Sequence, residues 1–150
     1  MVVIYVMDYA ELSSIYPTHL PTCVEKGYPE IVEDGLDYWV MVSYEGDVIG
    51  YTCSKDMGDW IFVGNTYIMR NYRGNNIHKI LLTYRNHRLE PKPKVTIMNP
   101  IEGTSMSQLV KAVEDLGYEC VSSPDDVADI MDERTYWNIE CPGTSIWRVD

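Results

Sequence analysis

A basic segment near the middle of the chain carries the residues best suited to bind a ligand. It runs from Arg70 to Lys94 and holds seven Lys or Arg residues against one acid, although the whole 150-residue chain has a formal net charge of −11. Its first ten residues, RNYRGNNIHK, combine cations with glycine and asparagine. Charge this localised usually has an anionic partner. The segment therefore predicts an anion-binding site within an acidic protein.

The position of this segment between two regular elements suggests which anion it binds. The run Trp60–Met69 predicts a strand, and apolar residues recur at helical spacing over Ile77–Tyr84. A turn rich in glycine and asparagine then joins the strand to the helix. Backbone N–H groups and the positive end of the helix dipole would face the ligand there, while Arg73 and Lys79 add charge. Phosphate is the anion that fits this arrangement.

The first half of the chain supplies a strand, a helix and a meander. Asp8 caps the first helix, and three prolines and two glycines interrupt the helical pattern between Tyr16 and Asp37. The strand period then begins. The predicted elements are a strand over Val2–Met7, a helix over Tyr9–Ile15, and antiparallel strands over Tyr38–Tyr44, Val48–Ser54 and Trp60–Met69.

The second half alternates helices and short strands. A capping pattern at Ser105 begins one helix, and Gly117 supplies the left-handed residue that ends it. The predicted elements are a helix from Ile77 to about Leu89, a strand over Lys94–Met98, the helix after Ser105, a strand over Tyr118–Val121, a short acidic helix from Ser123 to about Met131, and strands near Tyr136–Glu140 and Ser145–Val149. With 45% hydrophobic residues and no linker, the chain predicts one α/β (α+β) domain over residues 1–150.

Composition argues against several classes of protein. The four cysteines are widely spaced without a CxxC pair, so neither a metal site nor a disulfide framework is expected. The start of the sequence lacks the features of a signal peptide, and no apolar run could span a bilayer. A cytoplasmic protein with no membrane partner is therefore expected. A sequence pI near 4.6 argues against nucleic-acid binding.

The order of elements and the basic turn resemble the Gcn5-related N-acetyltransferase (GNAT) family. In that family a Gln/Arg-x-x-Gly-x-Gly/Ala turn binds the pyrophosphate of acetyl-CoA. The stretch Ile68–Gly74 is similar to the approach to that turn, with Arg73 as its first position. Element order extends the resemblance over nearly the whole chain, whereas the motif covers Thr66–Leu82. The resemblance implies a mixed, mostly antiparallel central sheet flanked by helices.

The same resemblance implies how acetyl-CoA, the co-substrate, would bind. The backbone of Thr66, Tyr67 and Ile68 would hold the pantetheine arm. Lys79, Arg85 and Arg88 are candidates for remote phosphate contacts, although a solvated basic helix face is the favoured interpretation of the last two. The pyrophosphate would lie on Arg73, Gly74, Asn75, Asn76, Ile77, His78 and Lys79.

Two positions of the turn depart from the family pattern. Asn76 and His78 stand where the family has small residues. Asparagine is the next best residue after glycine for a left-handed backbone, so Asn76 is a mild replacement. His78 is a harsher one, and two alternatives stay open: it crowds the diphosphate, or it stacks on it or donates to it.

Acyl transfer to an amine needs a base for the ammonium proton and an acid for the leaving thiolate. The resemblance places the usual carboxylate position at Phe62 and the usual tyrosine position at Val113, so other residues must be considered. Each remaining candidate also has a structural interpretation, as a turn residue or a core aromatic. These catalytic candidates are Asp59, Tyr67, Asn99 and Tyr118.

The resulting hypothesis is an enzyme that transfers acetyl from acetyl-CoA to a primary amine by direct attack, without a metal. Acidic residues between Glu25 and Asp37 fall where the family builds its acceptor groove, which favours a cationic small molecule or protein amine; a solvated acidic loop is the alternative. A second hypothesis is a catalytically degenerate GNAT-fold interaction or structural protein, phage-like in character and able to form a homo-oligomer. A third, a DNA-mimicking inhibitor, rests on the net charge alone.

Overall fold

The computed structural model describes residues 2–15, 35–98, 107–139 and 144–150. Seven strands form one sheet in the order β1-β2-β3-β4-β5-β7-β6. The strands are β1 (Val2–Met7), β2 (Asp37–Ser43), β3 (Val48–Asp56), β4 (Ile61–Ile68), β5 (Lys94–Met98), β6 (Glu119–Val121) and β7 (Ser145–Val149). The helices of the described residues are α1 (Tyr9–Ile15), α2 (Ile77–Arg88), α3 (Ser107–Asp115) and α4 (Glu133–Ile139), with 3-10 turns at Arg70–Tyr72 and Pro124–Val127.

The strand directions make this a mixed, mostly antiparallel sheet, and the predicted fold class is confirmed. β1 with β2, β2 with β3, β5 with β7 and β6 with β7 all pair antiparallel. β4 and β5 pair in parallel, at Ile61 with Lys94 and Phe62 with Val95. No helix among the described residues is long and apolar enough to cross a membrane.

The described residues fall into two compact units. The first comprises Met1–Lys55 and Gly64–Leu89, and the second comprises Asp56–Val63 and Glu90–Asp150. A single domain over residues 1–150 stays a prediction.

In the first unit, α2 packs on the sheet through a face that differs from the predicted one. Leu81, Leu82 and Arg85 are buried, and Leu81 joins Met41 and Ile49 in the core. Ile80, which the helical spacing placed on the apolar stripe, is 52% exposed. The buried face is therefore rotated toward Arg85, and the reason is polar: the Arg85 guanidinium has hydrogen-bond acceptors in the interior.

The second unit contains a correction to the predicted strand near Tyr136–Glu140. Residues Glu133–Ile139 form helix α4, beginning after Asp132, whose Oδ1 accepts a 2.7 Å hydrogen bond from the Thr135 N–H. The aromatic and β-branched residues favoured a strand, but this N-terminal cap selects the helix. Gly117 has φ of +90°, so the left-handed residue predicted after α3 is confirmed.

A dense ion cluster ties β7 to the segment before α4 in the same unit. The Arg148 Nη1 and Nη2 atoms each lie 2.7 Å from a carboxylate oxygen of Asp129, and Nε lies 2.7 Å from Asp150 Oδ1. Arg148 Nη1 also donates to the Asp126 carbonyl at 2.9 Å. These carboxylates raise the pKa of Arg148 and hold the pKa of Asp129 below its usual range. Every nitrogen of this guanidinium thus has an acceptor.

Candidate functional site

The basic turn folds as a 3-10 turn followed by two left-handed residues that lead into α2. The Tyr72 N–H bonds the Met69 carbonyl at 2.9 Å, which closes the turn at Arg70–Tyr72. Gly74 has φ of +88° and Asn76 has φ of +58°. The prediction that Asn76 tolerates a left-handed backbone is confirmed. The resulting concave turn, Gly74–Lys79, is called the cradle below.

The cradle presents a row of backbone donors. Over the described part of the chain, none of the N–H groups from Gly74 to Lys79 has an acceptor. Asn76 makes no side-chain cap, and the first turn of α2 carries no acidic residue. A helix start without a cap leaves its N–H groups and the positive end of its dipole for solvent or a ligand. The cradle therefore has the donors and the field that an anion needs.

Cationic side chains surround these donors. Arg70, Arg73 and Lys79 are exposed, and none forms an ion pair within the described ranges. A Cβ atom added at Gly74 would meet nothing within 4 Å, so the turn opens to solvent at that point. The sequence prediction of local positive charge thus becomes an accessible basic surface.

His78 occupies the first turn of α2 and is half-buried. Burial lowers the pKa of its imidazole, and the nearby Arg85 cation lowers it further. The free protein therefore holds this imidazole mainly neutral at pH 7. Whether His78 crowds a diphosphate or donates to it stays open.

The end of β4 is linked to the turn by Arg73. The Arg73 Nε donates to the Ile68 carbonyl at 2.8 Å, and its guanidinium carbon lies 5.4 Å from the centre of the Tyr67 ring. Tyr67 in turn stacks on Tyr51 at 6.0 Å between ring centres. The Arg73 Nε therefore helps to position the end of β4, and the rest of the guanidinium supplies positive charge.

β4 contains a kink that the sequence prediction missed. Asn65 has φ of +54° in the middle of the strand, directly after Gly64. Asn65 is only 7% exposed, and its side-chain oxygen has no hydrogen-bond partner in the described structure. A buried acceptor without a donor is uncommon and marks a place where a ligand N–H would be favourable. The Gly-Asn pair inside an otherwise β-branched run was the available signal.

Behind β4 lies a buried polar chain that starts at Arg85. The Arg85 Nη1 donates to Thr52 Oγ1 at 2.6 Å, and Thr52 Oγ1 lies 2.8 Å from Thr66 Oγ1. Arg85 is 2% exposed and Thr52 is fully buried. The favoured interpretation of Arg85 as a solvated surface cation is therefore wrong. Its long side chain follows the apolar face of α2 while its head finds interior oxygens.

Close contact between β3 and β4 fixes the strand that carries these residues. A Cβ atom added at Gly50 would lie 2.7 Å from the Tyr67 carbonyl oxygen. The Met69 N–H donates to the Ile49 carbonyl at 2.8 Å. Glycine at position 50 thus allows the two backbones to approach. A surface hollow of about 410 Å³ adjoins this end of β4, lined by Asp47, Val48, Tyr67, Met69, Arg70, Asn71 and Tyr72.

The catalytic candidates are spread over the chain. Tyr67 lies beside Arg73 in the first unit. Asp59 is exposed in the turn before β4, and Tyr118 is 4% exposed after α3, both in the second unit. Asn99 lies outside the described residues, as do the acidic residues from Glu25 to Asp34. Their catalytic roles stay predictions.

The two positions that the resemblance marks as catalytic are occupied by packed apolar side chains. Phe62 is fully buried in β4, and Val113 is 8% exposed in α3. Within the described ranges, no group of three His, Cys, Asp or Glu residues has the geometry of a metal site.

Comparison with known proteins yields matches at the level of structure. No protein-family model and no curated protein sequence matches the chain. Among solved structures, the ribosomal-protein-S18-alanine N-acetyltransferase of Escherichia coli matches with a TM-score of 0.59 at 12% identity, covering 99% of this chain and 93% of that one. The phosphinothricin acetyltransferase of Sinorhizobium meliloti, in complex with acetyl-CoA, matches with a TM-score of 0.57 at 18% identity, covering 99% and 87%.

A GNAT-family acetyltransferase of Staphylococcus aureus also matches, with a TM-score of 0.53 at 10% identity over 99% of this chain and 98% of that one. Identities this low establish a common fold and leave the activity of this chain to other arguments. The sheet order, the strand–turn–helix at the cradle and these matches agree with the expected architecture. The chain therefore has the fold of the GNAT superfamily of N-acetyltransferases.

Proposed function

We propose that this protein is an N-acyltransferase that binds acetyl-CoA at the cradle and transfers the acetyl group to a primary amine. The observation that carries the proposal is the row of backbone N–H groups from Gly74 to Lys79 that have no acceptor in the described structure. A diphosphate satisfies several such donors at once, and the basic side chains around them favour its charge. The fold supports the proposal because its structural neighbours are acetyltransferases.

The residues of this chain fit acetyl-CoA at three points. The open, positive-φ turn at Gly74 leaves room for the diphosphate. The backbone of Thr66–Ile68 runs from the cradle along β4 and would bond the pantetheine arm. The orphan oxygen of Asn65 would accept an N–H from the arm or from the amine. When bound, acetyl-CoA supplies an acyl group already activated as a thioester.

In the proposed reaction the cradle and β4 hold the thioester while the amine approaches it. The amine lone pair forms a bond to the thioester carbonyl carbon, the carbon–sulfur bond breaks, and CoA leaves as a thiolate. The extra proton of the amine passes to water, directly or through a side chain, and the thiolate takes a proton. Asp59, Tyr67 and Tyr118 are the proposed groups for these proton transfers, and the Asn99 amide would orient the amine or a water molecule by hydrogen bonding. The fold would contribute to the rate of the reaction by orienting the amine and the thioester.

The proposed acceptor is a cationic amine, either a small molecule or a protein side chain. Its support is the concentration of acidic residues between Glu25 and Asp37 and the net charge of −11. A negative field raises the local concentration of cations. The acceptor amine must still lose its proton before it attacks.

The test is isothermal titration with acetyl-CoA of the wild-type protein and of Asn76→Asp. Aspartate keeps the shape and the left-handed tolerance of asparagine, interacts favourably with the positive end of the helix dipole, and repels a phosphate. We expect the variant to fold at least as stably as the wild type and to bind acetyl-CoA at least tenfold more weakly, about the effect of a charge contact. Asn138→Asp, an exposed position on α4, makes the same change in net charge and should bind as the wild type does.

Two results of this titration would contradict the proposal. If the wild-type protein gives no heat and no thermal shift with millimolar acetyl-CoA, the cradle does not bind this ligand. If Asn76→Asp and Asn138→Asp bind equally well, the ligand binds elsewhere.

A second candidate function is a non-catalytic GNAT-fold protein that acts through interactions, as a homo-oligomer or with a protein partner. The observation that favours it is the packing of Phe62 and Val113, which places apolar side chains where the resemblance has a carboxylate and a tyrosine. It predicts no release of CoA thiol with a panel of amines, together with a stable oligomer or complex by light scattering. A monomer with measurable turnover would contradict it.

A further inference from the structure

The first bond of the buried chain from Arg85 to Thr66 has a direction fixed by chemistry. A guanidinium has donors only, so Thr52 Oγ1 must be the acceptor of the 2.6 Å bond from Arg85 Nη1. The Thr52 proton then has two acceptors, Thr66 Oγ1 at 2.8 Å and the Gly64 carbonyl at 3.4 Å. Either hydroxyl can donate in the 2.8 Å contact; a further acceptor beside Thr66 favours the arrangement in which Thr52 donates to Thr66, because that acceptor is then paired as well.

This direction leaves the hydroxyl proton of Thr66 for a further acceptor. Thr66 is half-buried, so a ligand lying along β4 can reach it, whereas Thr52 and Arg85 are closed off from solvent. Hydrogen bonds in a chain polarise one another, and a cation at the closed end makes the terminal hydroxyl a better donor. The acceptor that gains most from such a donor is one that becomes negatively charged.

The position of Thr66 along the strand indicates which atom of the ligand this is. With the diphosphate on the cradle, an arm that returns along β4 passes Ile68 first and Thr66 last. Two residues of strand span about 6.6 Å. Thr66 therefore lies toward the acyl end of the arm, where the sulfur becomes a thiolate as the carbon–sulfur bond breaks.

We propose that the Thr66 hydroxyl donates a hydrogen bond to the sulfur of bound CoA, and that Arg85 and Thr52 act as positioning residues that aim and polarise this donor. No proton is transferred in this contact; the thiolate is stabilised while it leaves. The inference rests on the proposed function, because it assumes that acetyl-CoA binds along β4. It assigns stabilisation of the leaving group to a site distinct from Phe62 and Val113.

The experiment measures the pKa of the CoA thiol, free and bound, from the ultraviolet absorbance of the thiolate during a pH titration. In the wild type the pKa of the bound thiol should be lower than that of free CoA, since a donor favours the charged form. Thr66→Val removes the hydroxyl at constant shape and should raise the pKa of the bound thiol by about 1. Thr66→Ser keeps the hydroxyl and should retain the wild-type value.

Two further variants separate the relay from general structural effects. Thr52→Val interrupts the chain without touching the ligand and should raise the pKa of the bound thiol by less than Thr66→Val does. Thr83→Val makes the same chemical change at an exposed position on α2 and should leave it unchanged. Melting temperatures are recorded for all variants, because a merely structural role would lower them without moving the thiol pKa.

Each of the remaining outcomes would contradict one part of this inference. If the pKa of the bound thiol is the same in the wild type and in Thr66→Val, the Thr66 hydroxyl does not donate to the sulfur, even if turnover falls. If Thr66→Ser raises the pKa of the bound thiol as much as Thr66→Val does, the hydroxyl does not account for the effect and the donor assignment is wrong. A wild-type protein that binds acetyl-CoA but shows no lowering of the thiol pKa overturns only this inference, whereas absence of binding removes the proposed function with it.

Discussion

The cradle and the Arg148 cluster both contain a cationic side chain, but they differ in how many of their hydrogen-bond donors already have an acceptor. Arg148 has a carboxylate or carbonyl oxygen on each of its three nitrogens. In the cradle, the N–H groups of Gly74–Lys79 have no acceptor in the described structure, and Arg70 and Lys79 form no ion pair there. A saturated cation stabilises the fold, whereas an unsaturated donor set is prepared for a ligand.

Arg73 lies between these extremes, whereas Arg85 resembles Arg148. Arg73 gives one donor to the Ile68 carbonyl and keeps the rest of its guanidinium exposed. Arg85 is buried, and Thr52 and Asn86 supply an acceptor to each of its three nitrogens. The four arginines thus range from Arg70 and Arg73, which keep donors for a ligand, to Arg85 and Arg148, whose nitrogens all have acceptors. Substitutions along this series should divide into those that change binding and those that change stability.

The largest effect on binding is expected from Gly74→Ala. At its φ of +88°, a residue other than glycine is strained by about 1–2 kcal/mol. The turn can relieve this strain by changing the backbone conformation of the cradle. Acetyl-CoA binding should weaken about five- to thirtyfold by calorimetry. Gly58→Ala is the matched control, since Gly58 has φ of +97° and equally open surroundings. It should lose similar stability and no affinity; equal losses of affinity in both variants would contradict a role specific to the cradle.

A smaller effect is expected from Arg73→Lys. Lysine keeps the charge but loses the Nε bond to the Ile68 carbonyl and the planar contact with Tyr67. Binding should weaken about threefold to tenfold, with the salt dependence retained. Arg88→Lys changes a second arginine–tyrosine contact, at 5.0 Å over Tyr84, and should leave affinity within about twofold. Unchanged binding in Arg73→Lys would show that charge alone matters.

The pH dependence of binding should decide between the two roles of His78. Burial and Arg85 lower the pKa of His78 in the free protein, and a bound diphosphate would raise it. If His78 donates to the ligand, acetyl-CoA affinity should increase about threefold from pH 7.5 to 6.0 beyond the ligand's own titration. His78→Gln should lose this increase, and His87→Gln, an exposed control, should keep it. Tighter binding by His78→Gly at every pH would instead show crowding.

The same lowered pKa has a consequence for stability. The unfolded chain binds a proton at this histidine more readily than the folded one does, so stability is complete above pH 6.5 and decreases as the pH falls below it. Thermal melts of the ligand-free wild type should decline in this range more steeply than those of His78→Gln.

Arg148→Met is expected to leave acetyl-CoA binding unchanged. This variant leaves Asp129, Asp150 and the Asp126 carbonyl without their cation, so the melting temperature should fall by a few degrees. Because Arg148 lowers the pKa of Asp129, the stabilisation is present above the ordinary value near 3.8 and is lost as the pH falls through the lowered value. The difference in melting temperature between variant and wild type should therefore narrow in acid. Loss of acetyl-CoA affinity would contradict a purely structural role.

Local signals predicted the frame of the cradle. The strand over Ile61–Ile68, the helix beginning at Ile77 and the left-handed Asn76 all follow from residue type and spacing within a few positions. Such features depend on neighbouring residues in the chain. They could be predicted because no distant contact overrides them.

Features that depend on distant partners were not predicted. Arg85 is charged and therefore suggested a solvated position, but its acceptor Thr52 lies 33 residues earlier in the chain. Asn65 adopts its kink inside a strand whose neighbours are fixed by the sheet. Tyr136 is a different case: its aromatic side chain favours a strand, but the local cap at Asp132 selects a helix. For Arg85 a specific polar contact decided the outcome, and its partner could not be identified from spacing alone.

The complete burial of Phe62 restricts which amino-acid substitutions could place a catalytic base at this position. A single substitution to glutamate at this position would put a carboxyl group among apolar neighbours, where it would remain protonated near neutral pH and could not accept a proton from an amine. Regaining a base there would require several core residues to become smaller or polar together. Mutational paths to efficient acyl transfer should therefore pass through other positions, and laboratory selection for turnover would reveal which ones.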